Sequence, residues 1–318
     1  ACGGGSTMGY KLAGFDVIGC NEIDPKMMEA YKANHNPKFA FLEPIQTFKL
    51  RKDLPRELYE LDILDGSPPC SSFSMAGNRE KDWGKEKKFR EGQAEQILDN
   101  LFFDFIDLAK KLQPKVVIAE NVKGLLLGNA KQYVRQIYRE FDLAGYYCQH
   151  FLLDASKMGV PQRRERVFFI ALRKDLAAPF LKQVDLFCIQ PELKMEFAEK
   201  EIPFKEIECF TEQPVFDHPS PSCRSGWENV KPGQKIYDDK KFDTYKINPN
   251  RVLNTITASC SKNRSGPLHY SEFRMLTKSE VFLSGSFPVD YVCGDPYYFV
   301  GMSVPPVMVA QIATEIWN

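Results

Sequence analysis

Apolar positions in the first 170 residues follow two alternating periods. Within residues 91–112 the apolar side chains lie three or four positions apart, which predicts an amphipathic helix. Residues 116–119 form a continuous apolar run, which is typical of a strand buried on both faces. The same reasoning predicts strands at 15–20, 62–65, 116–119, 147–153 and 167–172, and helices at 6–13, from 25 onwards, at 91–112 and at 131–144.

This alternation of strands with helices predicts an α/β fold with a doubly wound, mostly parallel sheet. The pattern changes after residue 174, because 175–250 are rich in Pro, Lys, Asp and Glu and have only short apolar runs. It returns with a predicted strand at 252–257 and helices near 277–283 and 304–317. We therefore predict one α/β domain formed by 1–174 plus 251–318, and a small irregular domain formed by 175–250.

The composition indicates a globular protein with no net charge. Hydrophobic residues make up 43% and charged residues 26%, and 42 basic residues balance 42 acidic ones, which argues against a histone-like mode of binding but allows a local basic groove. The nine cysteines include no Cys-x-x-Cys pair, so we expect a reducing cytosol and neither disulfides nor a metal site. We also expect no membrane span and no leader peptide.

Candidate chemistry lies where predicted strands end, which is where open α/β sheets bind ligands. Gly3, Gly4 and Gly5 precede the first helix and would let backbone N–H groups approach a ligand. Glu22 follows the next strand, where an acid can bind the ribose hydroxyls of an adenosine cofactor. Taken alone, these residues fit a glycine turn and a solvated acid equally well.

Three further segments are more specific. Cys70 follows two prolines after strand 62–65, and the polar residues around it argue against a cysteine that only fills space. Glu120 ends the neighbouring strand, so it would lie beside Cys70. In the segment 162–166, strand alternation places Arg164 and Arg166 on one side of the strand and Arg163 and Glu165 on the other.

In this order, Pro-Pro-Cys at 68–70, Glu-Asn-Val at 120–122 and Gln-x-Arg-x-Arg at 162–166 resemble the DNA (cytosine-5) methyltransferase family of bacteria and phage. Further segments resemble that family's motifs at 4–15, 21–24, 100–103, 274–291 and 301–306. The chain departs from the family pattern at Cys2, where a glycine is usual, at Pro44, where an acid is usual, and at Met302, where an asparagine is frequent.

The resemblance implies a class I, Rossmann-like methyltransferase that uses S-adenosylmethionine, with 175–250 as its target-recognition domain. It implies sequence-specific methylation of C5 of a flipped-out cytosine in double-stranded DNA, through a covalent adduct between Cys70 and C6. A monomer in the bacterial cytosol, or in the host cytosol if the protein is phage-encoded, is expected, as is a role in restriction-modification.

The resemblance also implies the site residues. The catalytic ones are Cys70, Glu120, Arg164 and Arg166: the thiolate attacks C6, the carboxyl serves N3, and the arginines bind the base O2 or a flanking phosphate. The cofactor-binding ones are Gly3, Gly4, Gly5, Glu22, Ile23, Ile45, Pro69, Leu101, Ser303 and Val304. The DNA-binding ones are Ser72, Arg79, Lys81, Trp83, Lys85, Gln162, Lys231 and Lys235, and residues 78–90 are expected to close over DNA as a loop.

Other interpretations remain. The related tRNA methyltransferases carry a Cys-Phe-Thr tripeptide, and Cys209-Phe210-Thr211 matches it in a different flanking context. A catalytically inactive DNA-binding relative would keep the fold, although such relatives typically lose the cysteine or the glutamate. A dinucleotide-dependent oxidoreductase would explain the glycines and Glu22 but not Cys70 or 162–166.

Overall fold

The structure, a computed structural model, describes residues 2–69, 100–127, 130–185, 188–216, 223–237, 244–263 and 265–318. The strands in these ranges are β1 (Gly19–Glu22), β2 (Phe39–Leu42), β3 (Ile63–Gly66), β4 (Val116–Val122), β5 (Tyr146–Asp154), β6 (Glu165–Arg173), β7 (Leu181–Asp185), β8 (Cys188–Pro191), β9 (Tyr245–Lys246) and β10 (Pro267–Leu268). The helices are α1 (Gly5–Leu12), α2 (Pro25–His35), α3 (Ile45–Phe48), α4 (Leu101–Leu112), α5 (Lys131–Leu143), α6 (Arg224–Asn229), α7 (Ser259–Asn263), α8 (Lys278–Ser284), α9 (Pro296–Met302) and α10 (Pro306–Trp317).

The central sheet is mixed, with the strand order β3-β4-β6-β5. β3 and β4 are parallel, whereas β6 runs antiparallel to both β4 and β5; a separate parallel pair joins β1 and β2. The α/β class is therefore confirmed, but the expectation of a mostly parallel sheet is wrong for these four strands. Only residues 155–164 join β5 to β6, which is shorter than the dozen or so residues that a parallel crossover requires.

Helices cover both faces of this sheet. Val117 and Ala119 of β4 pack against apolar side chains of α4 and α5 on one face, and Ile118 packs with side chains of α1 and α10 on the other. α1 and α10 also contact each other directly, although they lie at opposite ends of the described chain. Because alternate residues of β4 are buried on opposite faces, the strand is apolar along its length, as its sequence predicts.

A second apolar core joins residues on both sides of the predicted boundary at 250. Phe204 and Tyr245 share it with Leu268, Phe282 and Phe299. Backbone bonds cross the boundary too, since the Ile247 N–H donates to the carbonyl of Leu268 over 2.9 Å. Packing is thus continuous from the predicted recognition segment into the residues that follow it.

The predicted strand at 252–257 is wrong. Within this segment the structure contains one isolated bridge, between Leu253 and Gln162, and the Arg163 N–H donates to the Leu253 carbonyl over 2.7 Å. The helix predicted near 277–283 is confirmed as α8, which begins with a capping box formed by Thr277 and Glu280.

Within the described residues, the stretch Pro296–Trp317 is long and apolar enough to cross a membrane by length and composition alone, a test that the core helix of a globular protein also passes. It comprises α9 and α10, and 56% of its most apolar window is buried inside the protein, as in core helices.

Candidate active site

A buried ion pair lies at the end of β4. The Arg166 Nε is 2.9 Å from the Glu120 Oε1, and both side chains are largely enclosed. The register explains the contact, because Glu120 lies opposite Phe168 and Arg166 lies two residues before Phe168, on the same face of the sheet. Little water reaches the pair to screen it, so the guanidinium fixes the orientation of the carboxyl group.

Asn121 ties this strand end to the segment that leads into Cys70. Its Nδ2 donates to the carbonyl of Pro68 over 3.0 Å, and its Oδ1 accepts from the Val122 N–H over 2.9 Å. Cys70 itself lies outside the described residues, as do the predicted DNA-contact residues Ser72, Arg79, Lys81, Trp83 and Lys85 and the loop predicted at 78–90. Their roles remain predictions.

Arg164 lies beside the ion pair but is turned toward the protein backbone. It is only 2% exposed, and its Nη1 and Nη2 donate to the carbonyls of Ile256 and Gly301 over 3.3 and 2.9 Å. Burial, with a contribution from the charge of Arg166, lowers the pKa of Arg164. The terminal nitrogens of Arg164 thus join the residue before β6 to two other segments, and its predicted contact with the base or a phosphate stays a prediction.

Gln162 is enclosed in the same way. Its side chain has no exposed surface, its Nε2 donates to the carbonyl of Ser284 over 3.4 Å, and its Oε1 accepts from the Ile256 N–H over 3.2 Å. Its contact with DNA stays a prediction.

The predicted alternation of the segment is confirmed by the remaining side chains. Glu165 bonds Lys123 through both carboxylate oxygens at 2.8 Å, away from Arg166. Arg163 lies at the surface, 3.7 Å from Glu201.

The glycines of the expected cofactor loop are required by packing. A Cβ on Gly3 would lie 1.6 Å from the ring of Phe299, and one on Gly5 would lie 2.3 Å from the carbonyl of Val304. Gly4 caps α1 with a φ of 97°, in the left-handed region that favours glycine. The glycines therefore let α9 and the segment between α9 and α10 approach the loop.

The structure brings the predicted cofactor residues from three distant segments together. Glu22, half-buried at the end of β1, accepts from the Cys2 N–H over 2.5 Å and from the Ile23 N–H over 2.9 Å. The Cys2 Sγ lies 4.0 Å from the buried Ser303 Oγ, about 300 residues away along the chain. Glu22, the glycine loop and Ser303 thus lie together in the fold.

The other predicted cofactor residues lie on neighbouring elements. Half-buried Ile45 begins α3, buried Leu101 begins α4, and these two helices contact each other. A carboxylate near a glycine loop that leads into a helix has the chemistry expected of a site for the ribose of S-adenosylmethionine. Sequence reasoning missed a second acid here, Asp65 on β3, whose Oδ1 accepts from the Tyr10 hydroxyl over 3.1 Å.

Lysines of the predicted recognition segment differ in their surroundings. Lys231 and Lys235 are exposed between α6 and β9, where they are accessible to a phosphate backbone. Lys246 instead lies 4.0 Å above the ring of Trp227 and donates to the Trp227 carbonyl over 3.1 Å.

The Cys209-Phe210-Thr211 tripeptide lies against α8. The Cys209 N–H donates to the Glu280 Oε1 over 3.0 Å, and the same carboxyl pairs with Arg274 at 2.8 Å. Phe210 is exposed, and the Cys209 Sγ lies 3.4 Å from the Thr211 Oγ1.

Comparison with known proteins gives one family across the whole chain. The family model for C-5 cytosine-specific DNA methylase matches residues 1–318. Type II methyltransferase M.FnuDI of Fusobacterium nucleatum is 38% identical over 173 residues, covering 54% of this chain and 45% of that protein. M.NgoPII of Neisseria gonorrhoeae is 36% identical over 178 residues, covering 56% of this chain and 47% of that protein. The chain thus spans about half the length of these curated relatives.

Solved structures share the fold. A protein of an E. coli prophage, described as a DNA modification methyltransferase, superposes with a TM-score of 0.71 at 19% identity, over 100% of this chain and 97% of that one. DNMT2 of Spodoptera frugiperda superposes with a TM-score of 0.66 at 18% identity, over 99% of this chain and 97% of that one. Together with the family match, which includes the segments that form the strand-end site, these findings show that the chain belongs to the C-5 cytosine-specific DNA methylase family.

Proposed function

We propose that the protein is a DNA (cytosine-5) methyltransferase, which transfers a methyl group from S-adenosylmethionine to C5 of a cytosine in double-stranded DNA. The observation that carries the proposal is the enclosed Glu120–Arg166 pair, which Asn121 links to the backbone leading into Cys70. A thiol and a fixed carboxyl at neighbouring strand ends are what addition to a pyrimidine ring requires.

Cytosine C5 is too weak a nucleophile to attack a methyl sulfonium unaided. Addition of the Cys70 thiolate to C6 breaks the C5–C6 double bond and makes C5 nucleophilic. Bound S-adenosylmethionine supplies the electrophilic methyl group. Loss of the C5 proton then expels Cys70 and restores the ring, so no oxidant or metal is needed to balance the reaction.

The described residues support this addition electrostatically. Glu120 would hold a proton or a hydrogen bond at N3 of the base, where negative charge otherwise develops. Arg166 orients that carboxyl and brings positive charge toward the base O2. Arg164 would act indirectly, by fixing the segments of Ile256 and Gly301 against β6.

The enclosure of Glu120 has a consequence for the substrate. A base stacked in a duplex cannot reach a carboxyl that is only 9% exposed, so the target cytosine must flip out of the helix. Exposed Lys231 and Lys235 would contact phosphates, and the residues around them would read the target sequence. A Type II modification role in a bacterial cell accords with the names of these curated relatives.

The test is transfer of labelled methyl groups from S-adenosylmethionine to duplex DNA and, in parallel, to tRNA. We expect 5-methylcytosine in DNA with the intact protein and none with Cys70→Ser, because an alkoxide is far less available than a thiolate near neutral pH. Transfer to tRNA alone would replace the proposal with the tRNA alternative. Unchanged transfer by Cys70→Ser would remove Cys70 as the nucleophile.

A further inference from the structure

Asp65 is an acid at the reaction centre for which the proposed mechanism has no role. It is the third residue of β3 and lies beside Ile118 of the parallel strand β4. Because side chains alternate along a strand, Asp65, Ile118 and Glu120 face the same side of the sheet. α1 covers that side, and its Tyr10, 6% exposed, donates its hydroxyl to the Asp65 Oδ1 over 3.1 Å.

The two acids on this face differ in their partners. Glu120 pairs with Arg166, whereas no lysine, arginine or histidine within the described ranges forms an ion pair with Asp65. Burial raises the pKa of Asp65 to about 6; the hydroxyls of Tyr10 and Ser6 and the positive charge of the amino group at the start of the chain oppose this rise, and the charge of Glu120 adds to it. An ionised carboxyl group in this position carries a desolvation penalty, which a bound cation would offset.

S-adenosylmethionine, the methyl donor of the proposed reaction, carries such a cation at its sulfonium sulfur. In the proposed function, Glu22 and the glycine loop hold the ribose end of the cofactor, and Glu120 contacts the base. Asp65 shares the sheet face of Glu120, and its carboxyl bonds Tyr10 and Ser6 of α1, the helix that follows the glycine loop. The methyl group must cross from sulfur to the base, so the sulfonium has to lie between the glycine loop and Glu120, on the side of the sheet that Asp65 faces.

We propose, on the basis of the proposed function, that Asp65 distinguishes the charged donor S-adenosylmethionine from the neutral product S-adenosylhomocysteine. The two ligands share the adenosine and the amino acid groups and differ in the methyl group and the charge on sulfur. A carboxylate near the sulfur binds the sulfonium and gains nothing from the thioether. Asp65 is therefore a specificity-determining residue that favours donor capture and product release, and it is not a catalytic residue.

The measurement is the ratio of the two ligand affinities, obtained by titration calorimetry on the intact protein. In Asp65→Asn we expect the preference for S-adenosylmethionine to fall by about tenfold, mainly through weaker binding of the donor. Glu22→Ala is the matched control: it should weaken both ligands equally, because both carry the same ribose.

The pH dependence gives a second readout that requires no substitution. In the unaltered protein the preference for S-adenosylmethionine should rise as Asp65 ionises, through a pH of about 6, and level off above it. Taking the ratio cancels the amino group that both ligands carry. The groups that act on Asp65 are Tyr10, Ser6, the amino group at the start of the chain and Glu120, with Arg166 behind Glu120. In Asp65→Asn the rise should disappear, whereas a rise caused by the amino group would remain.

An affinity ratio that is the same in Asp65→Asn and independent of pH in the unaltered protein would overturn the inference and leave the proposed function intact. A protein that binds neither ligand would overturn the proposed function, and the inference with it.

Discussion

The strand-end site and the surface formed by residues 223–237, 244–263 and 265–273 hold their charged groups in different ways. At the strand ends, Glu120 and Arg166 are enclosed and paired, and their geometry follows from the register of β4 and β6. On the surface, Lys246 lies over Trp227, and Arg224 lies 4.5 Å from the ring of Phe273. Strand register thus fixes the charged groups of the first region, whereas in the second region aromatic rings position some cations and others remain exposed.

The largest effect should come from Glu120→Gln. Loss of the carboxyl at N3 should lower turnover by about 10²–10⁴-fold while cofactor binding is retained. Glu165→Gln is a matched control, because Glu165 also pairs with a cation at the start of β6 but faces the other way. Single-turnover methylation rates decide the matter. Equal losses of turnover in the two variants would mean that catalysis does not depend on the face of the sheet on which the carboxyl group lies.

Arg164→Met tests the positioning role on the same strand. It leaves the buried carbonyls of Ile256 and Gly301 without a donor, so the free energy of unfolding should fall by about 1–3 kcal/mol in urea titrations. Arg163→Met, at the exposed neighbouring position, should change it by less than about 0.5 kcal/mol. A more stable Arg164→Met protein would show that burying the guanidinium costs more than its two hydrogen bonds return.

The smallest effects are expected on the recognition surface. Lys231→Ala and Lys235→Ala should each reduce the salt dependence of DNA binding by about one unit, because each would remove one phosphate contact. Lys246→Ala should leave that slope unchanged and lower the free energy of unfolding by about 0.5–1 kcal/mol, through loss of the contact with Trp227. If Lys246→Ala alone changed the slope, the assignment of exposed and stacked lysines would be reversed.

These two regions also differ in how far the sequence predicts them. Local periodicity is enough to predict β4 and the face on which Arg166 lies, because each depends on a run of apolar or alternating residues. The antiparallel direction of β6 was missed, since it depends on the length of the link between β5 and β6. The predicted strand at 252–257 was wrong, and the enclosure of Gln162 was not foreseen, for one physical reason: Gln162 and Leu253 are held by contacts between distant segments that periodicity does not record.

The central claim is most directly tested by covalent capture on duplex DNA in which the target cytosine carries fluorine at C5. Fluorine cannot leave as the C5 proton does, so the reaction should stop after methyl transfer with Cys70 still bonded to C6. We predict a denaturant-resistant protein–DNA complex that requires S-adenosylmethionine and is absent with Cys70→Ser. A protein that binds this DNA and the cofactor yet forms no such complex, or forms it equally well with Cys70→Ser, would contradict the account.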